Sequence, residues 1–313
     1  MARTLGFQER YCILYDGGDR HIGMSAAELR ELVDEVDLLL NLAGPLPRDS
    51  PLLRIPRRAY VDLDPGFTQI WAHEMDMGLG NFNFFFTVGQ NVGRPTFRIP
   101  TLGIEWEPIL PPVVLDLWPP RIDGSCERLS TIADWHGSQY AQFEGEQYTG
   151  KRDEFLRFLE IPERVGRPIE PALSIWQRDY EDLGLLLRHG WCVRDPFLYA
   201  GDLESYREFI QFSRAEFTVA RDGYVRSGSG WFSDRTACCL ASGRPAIVQS
   251  TQFEWRLPTG TGLLTFRTVD EACAAIEALD ERYLEHCDAA RGLAETYLDS
   301  AIVLGSLLDH VGL

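Results

Sequence analysis

Apolar residues along this chain fall into short continuous runs separated by stretches with helical spacing. Ser25 followed by Glu28 forms a capping-box pattern and predicts a helix to about Val36, after which Leu38 to Leu42 reads as a buried strand. Ala59 to Leu63 predicts a second strand ending at the turn Asp64-Pro65-Gly66. Phe67 to about Met77 then predicts a helix, and Phe84 to Val88 a third strand closed by Gly89. Continuous apolar strands alternating with helices indicate a parallel sheet covered on both faces.

The Pro-rich stretch PPVVLDLWPP, from Pro111 to Pro120, interrupts this alternation and marks a domain junction. Beyond it the spacing predicts a strand over Leu129 to Ile132, a helix over Arg152 to Leu159, a strand over Ile169 to Ile175 and a helix over Tyr180 to His189. Leu203, Tyr206, Phe209 and Ile210 then form the apolar stripe of an amphipathic helix, followed by a short strand over Glu216 to Ala220. Thr268 and Glu271 open a helical tail. The expected division is residues 1–115, an acceptor-side domain, and residues 116–313, a donor-side domain with C-terminal helices.

Residues Met1 to Met24 fit this scheme poorly, with one strand at Tyr11 to Tyr15 and Gly/Asp-rich turn material after it. Three or four strands precede Pro111, where a doubly wound domain has about five or six, so the first domain reads as shortened. A sheet lacking strands exposes an edge, which predicts self-association or an N-terminal segment wrapped over the gap.

Composition narrows the function. The 313 residues are 45% hydrophobic and 25% charged, an ordinary globular balance with room for two cores. A formal charge of −17 argues against a nucleic-acid or anionic-lipid surface, so any phosphate is held locally. Seven scattered cysteines without a C-x-x-C pair read as reduced thiols, and no apolar run is long enough to span a bilayer. Both point to a cytoplasmic protein. With no HExxH motif, no metal site and no cofactor are expected.

The chain's most specific chemistry lies at Ser227 to Pro245, SGSGWFSDRTACCLASGRP, followed at once by Ala246-Ile247-Val248. A flexible Gly/Ser loop, a helix starting near Ser233 or Asp234, a Gly-x-Pro break and a buried strand describe a place to hold a phosphate. Such a loop alone also serves as an ordinary βα turn. The whole string resembles the donor-binding signature of GT-B glycosyltransferases, in which Gly-x-x-Ser opens a helix and Gly-x-Pro-hydrophobic closes it, here Gly230, Ser233, Gly243 and Pro245. The segments LLLNLAG, RAYVDLDPGFTQIW, FFFTVGQNVGRP and YTGKRDEFLRFLEIPERVGRPIEPAL extend the resemblance, to a group of bacterial GT-B proteins, from about Leu38 to Phe266.

That resemblance implies an α/β chain of two Rossmann-like domains of GT-B type, the N-terminal one incomplete. It implies metal-independent transfer of a sugar from a nucleotide-sugar to an unknown acceptor. The alternative is a non-catalytic or truncated GT-B-like nucleotide-binding protein that needs a partner. Donor contacts then fall on Ser227, Ser229, Gly230, Trp231, Phe232, Ser233, Asp234 and Arg235, with backbone amides around Ser229 to Trp231 and the Ser233 hydroxyl holding the diphosphate. Arg235 and Lys151 either supply compensating cations or are simply solvated. Gln252 and Glu254 either grip sugar hydroxyls or are ordinary loop residues. Cys238 stands where many GT-B enzymes carry a ribose-binding Glu, and a thiol is a poor substitute for a bidentate acceptor. On the acceptor side, Asp64 either serves as a general base or caps the turn before Pro65. Gln69, Asn91 and His136 are further acceptor-side candidates.

Overall fold

The computed structural model describes residues 6–7, 10–15, 20–122, 126–137 and 140–313. Residues 1–5 and the turn material at 16–19 of the N-terminal reading lie outside the described residues. The described chain forms two compact units. The first comprises the residues up to Val61 with Asp76–Phe86, the second Asp62–Met75 with Thr87–Leu313.

The first unit opens with an antiparallel hairpin, β1 (Cys12–Tyr15) and β2 (Arg20–Gly23), which leaves Ile13, Leu14 and Ile22 exposed. Helix α1 (Ala26–Val33) starts at the expected capping box: the Ser25 hydroxyl accepts from the Glu28 amide at 3.2 Å, and the Glu28 carboxylate from the Ser25 amide at 2.7 Å. Strand β3 (Leu38–Leu42) pairs in parallel with β4 (Arg57–Asp62), from Leu38 opposite Arg57 to Leu42 opposite Val61.

Strand β4 ends in the second unit at Asp62, one residue before the expected Leu63, and the reason is chemical. The Asp62 carboxylate is fully buried and accepts from Thr68 Oγ1 (2.6 Å), Thr87 Oγ1 (2.8 Å), Gln69 Nε2 (3.1 Å) and the Asp64 amide (2.9 Å), which draws the chain out of the strand into a turn. Helix α2 (Phe67–Glu74) follows, then β5 (Phe84–Thr87) and the two-residue β6 (Glu107–Pro108). Among the described residues this sheet has four strands, in the order β3-β4-β5-β6.

Past the Pro-rich stretch the second unit continues with β7 (Leu129–Asp134), a hairpin of β8 (Ala141–Phe143) and β9 (Glu146–Tyr148), α3 (Lys151–Arg157), α4 (Ile161–Val165) and β10 (Ile169–Ser174). Then come α5 (Tyr180–Arg188), α6 (Pro196–Tyr199), α7 (Leu203–Gln211), β11 (Ala215–Thr218), α8 (Asp222–Ser227), α9 (Asp234–Ala241), β12 (Ala246–Gln249) and β13 (Leu263–Phe266). The tail is α10 (Val269–Glu281), α11 (Tyr283–Leu293), a π-helical turn over Ala294–Leu298 and α12 (Ser300–Val311).

The main sheet is parallel throughout, in the order β10-β7-β11-β12-β13. The extended segment Trp191–Arg194 bridges in parallel to β10 at Ile169 and Ala172. Counting that segment as the third strand gives the doubly wound order 3-2-1-4-5-6, which reverses between β7 and β11. Strand alternation divides the apolar side chains between two cores. Phe217, Ile247 and Phe266 join Trp135, Phe155 and Trp191 in one, while Val248 and Leu263 join Phe232, Leu240 and Leu298 in the other.

Candidate functional site

Open parallel sheets bind ligands outside the carboxyl ends of the strands where the strand order reverses. Here that crevice lies between the end of β7, which runs into Trp135-His136-Gly137, and the end of β11, which runs into Val219-Ala220-Arg221. The twofold period of β11 sends Phe217 into the core and turns Glu216 and Thr218 to the opposite face.

Helix α9 lays Arg235 across that face. Its Nε donates to Glu216 Oε1 at 2.5 Å, Nη1 to the Ile132 carbonyl at 2.6 Å and Nη2 to Thr218 Oγ1 at 2.9 Å. Burial opposes the guanidinium charge, but Glu216 more than offsets it, so the pKa is raised above the ordinary arginine value. Arg235 is therefore neither a solvated helix residue nor a cation without a partner. It is a buried, paired group that fixes Thr218.

Lys151 is the first residue of α3 and the only lysine in the chain; every other one of the 30 basic side chains is arginine. It is 7% exposed, which rules out the solvated alternative. Its Nζ makes one weak hydrogen bond, to Thr218 Oγ1 at 3.4 Å, lies 5.9 Å from the centre of the Trp231 ring, and forms no ion pair among the described residues. Burial first, and Arg235 next, push its pKa well below the usual lysine value. The carboxylates of Glu216 and Asp234 act on it from beyond ion-pair distance, so Lys151 sits at the crest without a direct ion-pair partner.

The start of α9 adds to this. Ser233 is its N-cap, with φ −80° and ψ 137°, yet the side chain caps no helix amide. The Ser233 and Asp234 amides donate to no acceptor among the described residues, while the Asp234 carboxylate accepts from the Arg235 amide at 2.9 Å, so two of the first amides of the helix are open. A void of about 10 Å³ beneath, lined by Thr218, Trp231, Ser233, Thr236 and Gln249, admits at most one water. A diphosphate at this place must therefore lie outside that void.

The preceding loop differs from the flexible cradle expected of its glycines and serines. Ser227 and Ser229 are fully buried, and their hydroxyls donate to the Gly223 and Tyr224 carbonyls at 2.6 and 3.2 Å. The Ser229 amide donates to Tyr224 O, the Gly230 amide to Thr251 O and the Trp231 amide to Ser229 Oγ. These amides are engaged within the chain, so they do not form the expected diphosphate cradle. Gly230 has φ +69°, and a Cβ there would fall 2.9 Å from Asn91 Cγ, which explains its glycine. Trp231 stacks on Tyr224 with centroids 4.7 Å apart, and Phe232 is buried.

The acceptor-side candidates separate in the same way. Asn91 is buried; its Nδ2 donates to Gly228 O and Gln252 O, both at 2.9 Å, and its Oδ1 accepts from Trp255 Nε1 at 2.7 Å. Gln69 is buried between Asp62 and the Gly66 amide. Both hold loops in place rather than face an acceptor. Asp64 Oδ1 accepts from Arg221 Nη1 at 3.0 Å and from the Tyr224 hydroxyl at 2.5 Å, so its side chain reaches α8.

His136, at the crest of β7, is held by Asp179 (Nε2–Oδ1 2.8 Å) and by the Tyr140 hydroxyl (3.1 Å). Gln252 sits at φ +73° with its backbone tied to Ser250 and Asn91, while Glu254 accepts from Ser250 and from Arg267 Nη2. Cys238 is pushed up to about 12 by burial, with Asp234 and Glu216 adding to the effect, and so remains a neutral thiol. His189, at the end of α5, lies 3.0 Å from Glu163. Among the described residues no group of three His, Cys, Asp or Glu side chains could hold a metal ion, and no helix is long and apolar enough to cross a membrane.

Arg221, the first residue after the strand expected over Glu216 to Ala220, is reachable from the sequence because open parallel sheets expose functional groups at strand ends. The signal for Lys151 is compositional: one lysine among so many arginines marks a place that needs a compact point charge. A cavity of about 470 Å³ lies over the ends of β10 and the Trp191–Arg194 segment, lined by residues including Ser174, Trp176, Leu183, Arg194 and Phe197.

No family model and no curated protein matches the sequence. Solved structures do match. AviGT4, a glycosyltransferase involved in avilamycin A biosynthesis, aligns with a TM-score of 0.54 and 12% identity over 91% of this chain and 77% of its own. HepE of Anabaena, in complex with UDP-glucose, gives 0.52 and 10% over 91% and 81%. An α-glucosyltransferase in complex with UDP-glucose and DNA containing an abasic site gives 0.58 and 12% over 91% and 82%. Likeness at such low identity speaks to architecture, and together with the doubly wound sheet it establishes that this chain has the GT-B glycosyltransferase fold.

Proposed function

We propose that the protein is a glycosyltransferase that takes a sugar from a nucleotide-sugar donor without a metal ion. The observation that carries this reading is Lys151, a buried amine with no direct ion-pair partner beside the start of α9, where the Ser233 side chain caps no amide; a bound diphosphate would hold it as the ammonium. Together they meet the charge of a diphosphate, the role a metal ion plays in other transferases. The Ser233 hydroxyl and the Ser233 and Asp234 amides complete the donor contact, and Arg235 acts through Thr218 by positioning. Neighbouring strands lie about 4.8 Å apart, so the cavity over β10 is one to two strands, or about 5–10 Å, from the β7–β11 crevice. That spacing suits a nucleoside base and ribose whose diphosphate sits at Lys151.

In the reaction the acceptor oxygen bonds to the anomeric carbon. The bond from that carbon to the diphosphate breaks with its electron pair on the leaving group, and the hydroxyl proton passes to a base or to the departing diphosphate. The chain supplies position and charge more than covalent chemistry.

A second reading, nucleotide binding without transfer, is favoured by Asp64, whose Oδ1 is held by Arg221 and Tyr224. Calorimetry with UDP, GDP and their sugars tests donor binding, with micromolar to sub-millimolar binding expected. No heat at millimolar ligand would sink both readings. Binding without hydrolysis or transfer across an acceptor panel would select the second.

A further inference from the structure

The connection from β7 to α3 is interrupted by the β8–β9 hairpin, which belongs to neither of the larger sheets. Its turn is Glu144-Gly145, at φ +51° and +80°, and positive φ at both residues is the geometry that matches the twist of a two-residue hairpin. Such a turn fixes which side chains face inward. The hairpin is clasped on two sides: Phe143 meets the His73 ring of α2 with centroids 5.5 Å apart, while Arg226 of α8 donates to the Gln147 carbonyl at 2.6 Å and pairs with Glu146.

Between these parts is a cavity of about 310 Å³, lined by Arg98, Phe143, Glu144, Glu146, Tyr148 and Arg226. That volume is at the small end of ligand sites, which run from about 300 to 1,000 Å³. Tyr148 is only 6% exposed, and its hydroxyl has no hydrogen-bond partner among the described residues. The hydroxyl oxygen is not among the sealed, unpartnered polar atoms of the chain but opens into the cavity, where a ligand hydroxyl can reach it. Burial raises its pKa, so it stays a phenol and can donate. The Arg98 guanidinium likewise has no hydrogen-bond or ion-pair partner among the described residues, and its backbone amide is anchored to the Ser227 carbonyl at 3.1 Å.

The chemistry of this lining selects its occupant. Two carboxylates oppose a phosphate or another anion, and two guanidiniums oppose a cation. Four charged groups would lose hydration against an apolar molecule. A neutral polyhydroxyl ring suits this mixture: its hydroxyls donate to Glu144 and Glu146 and accept from Arg98 and Tyr148, Arg226 keeps its pairing with Glu146, and the C–H faces rest on the aromatic surface.

We propose that the hairpin cavity is a saccharide-binding subsite that receives a neutral sugar ring of the acceptor. Its role as an acceptor subsite rests on the transfer reading above, whereas sugar binding does not. Tyr148 lies three residues from Lys151, a span of at most about 11 Å of chain. The intervening backbone is fixed to α8, with Gly223 N–H donating to Thr149 O and Asp222 N–H to Gly150 O. The subsite and the donor lysine thus share one short, braced segment.

Saturation-transfer NMR on the full chain with the methyl glycosides of glucose, galactose and N-acetylglucosamine tests the inference. At least one glycoside is expected to bind, with affinity at least about tenfold weaker in Tyr148→Phe and in Arg98→Ala. Tyr148→Phe keeps the ring packing, and unchanged UDP affinity in both variants shows that the fold and donor site survive. Absence of transfer to all three glycosides, or equal binding by wild type and variants, would overturn it. So would preferential binding of inorganic phosphate or glucuronate. Glycoside binding in a protein that ignores nucleotides would leave the subsite standing and remove the transfer reading.

Discussion

The loop from Ser227 to Trp231 and the lysine at the β7–β11 crest lie close together in the same fold unit, and they treat their polar groups in opposite ways. In the loop both serine hydroxyls and the amides of Ser229, Gly230 and Trp231 find partners within the chain, and Asn91 ties down the Gly228 and Gln252 carbonyls. At the crest Lys151 is buried against a single hydroxyl, and the helix beside it is uncapped. A segment whose hydroxyls and backbone amides are engaged within the chain is scaffold. A segment that buries charge without a partner is held that way at a cost in stability, which suits it to a ligand that brings the missing charge.

The contrast breaks most visibly at Gly230. Gly230→Ala forces a side chain into positive φ and against Asn91, and is expected to cost about 2–5 kcal/mol in urea unfolding. A loss below about 0.5 kcal/mol would mean that the loop tolerates movement and is not scaffold. Lys151→Met is expected to do the reverse: to weaken UDP binding about 10- to 100-fold, the loss of one charge-assisted contact, while leaving the ligand-free protein as stable as before or more so. Reduced stability with unchanged UDP affinity would turn Lys151 into a structural residue.

A smaller effect sharpens the same point through pH. The Lys151 pKa is lowered in the folded protein from an ordinary 10.5, so between its folded value and 10.5 the unfolded chain binds more protons. Stability contributed by this group therefore rises with pH across that window, and Lys151→Met is expected to lose the rise. UDP affinity runs the other way, falling as the ammonium deprotonates. Lys151→Arg should hold that affinity level to higher pH in calorimetric titrations, because a guanidinium stays charged.

Much of the architecture is legible in the residues themselves. Leu38 to Leu42 is a strand with the expected bounds but not the expected burial, since Leu40 and Leu42 are exposed, and Ser25 with Glu28 caps α1 by local geometry alone. Asp62 shows where local reading fails. Its four hydrogen bonds come from positions up to 25 residues away, and they decide where β4 stops. Site residues are harder for the same reason. Asn91 and Gln69 carry the right chemistry for substrate contact, but their partners at Gly228, Gln252 and Asp62 become neighbours only through the fold. The helix start at Ser233 is legible because it is local. The use of the loop amides is not, since the Gly230 amide's acceptor, Thr251, is brought in by β12.

A chain that carries its positive charge almost entirely on arginine has little to offer enzymes and reagents that act on side-chain amines. Acylation or isopeptide attachment at a lysine has one address in this protein, Lys151, and that amine is sealed into the crest. On the proposed donor site, such a mark would remove the charge that meets the diphosphate. Lysine-directed modification and nucleotide occupancy would then exclude each other, and bound donor would shield the chain's only lysine.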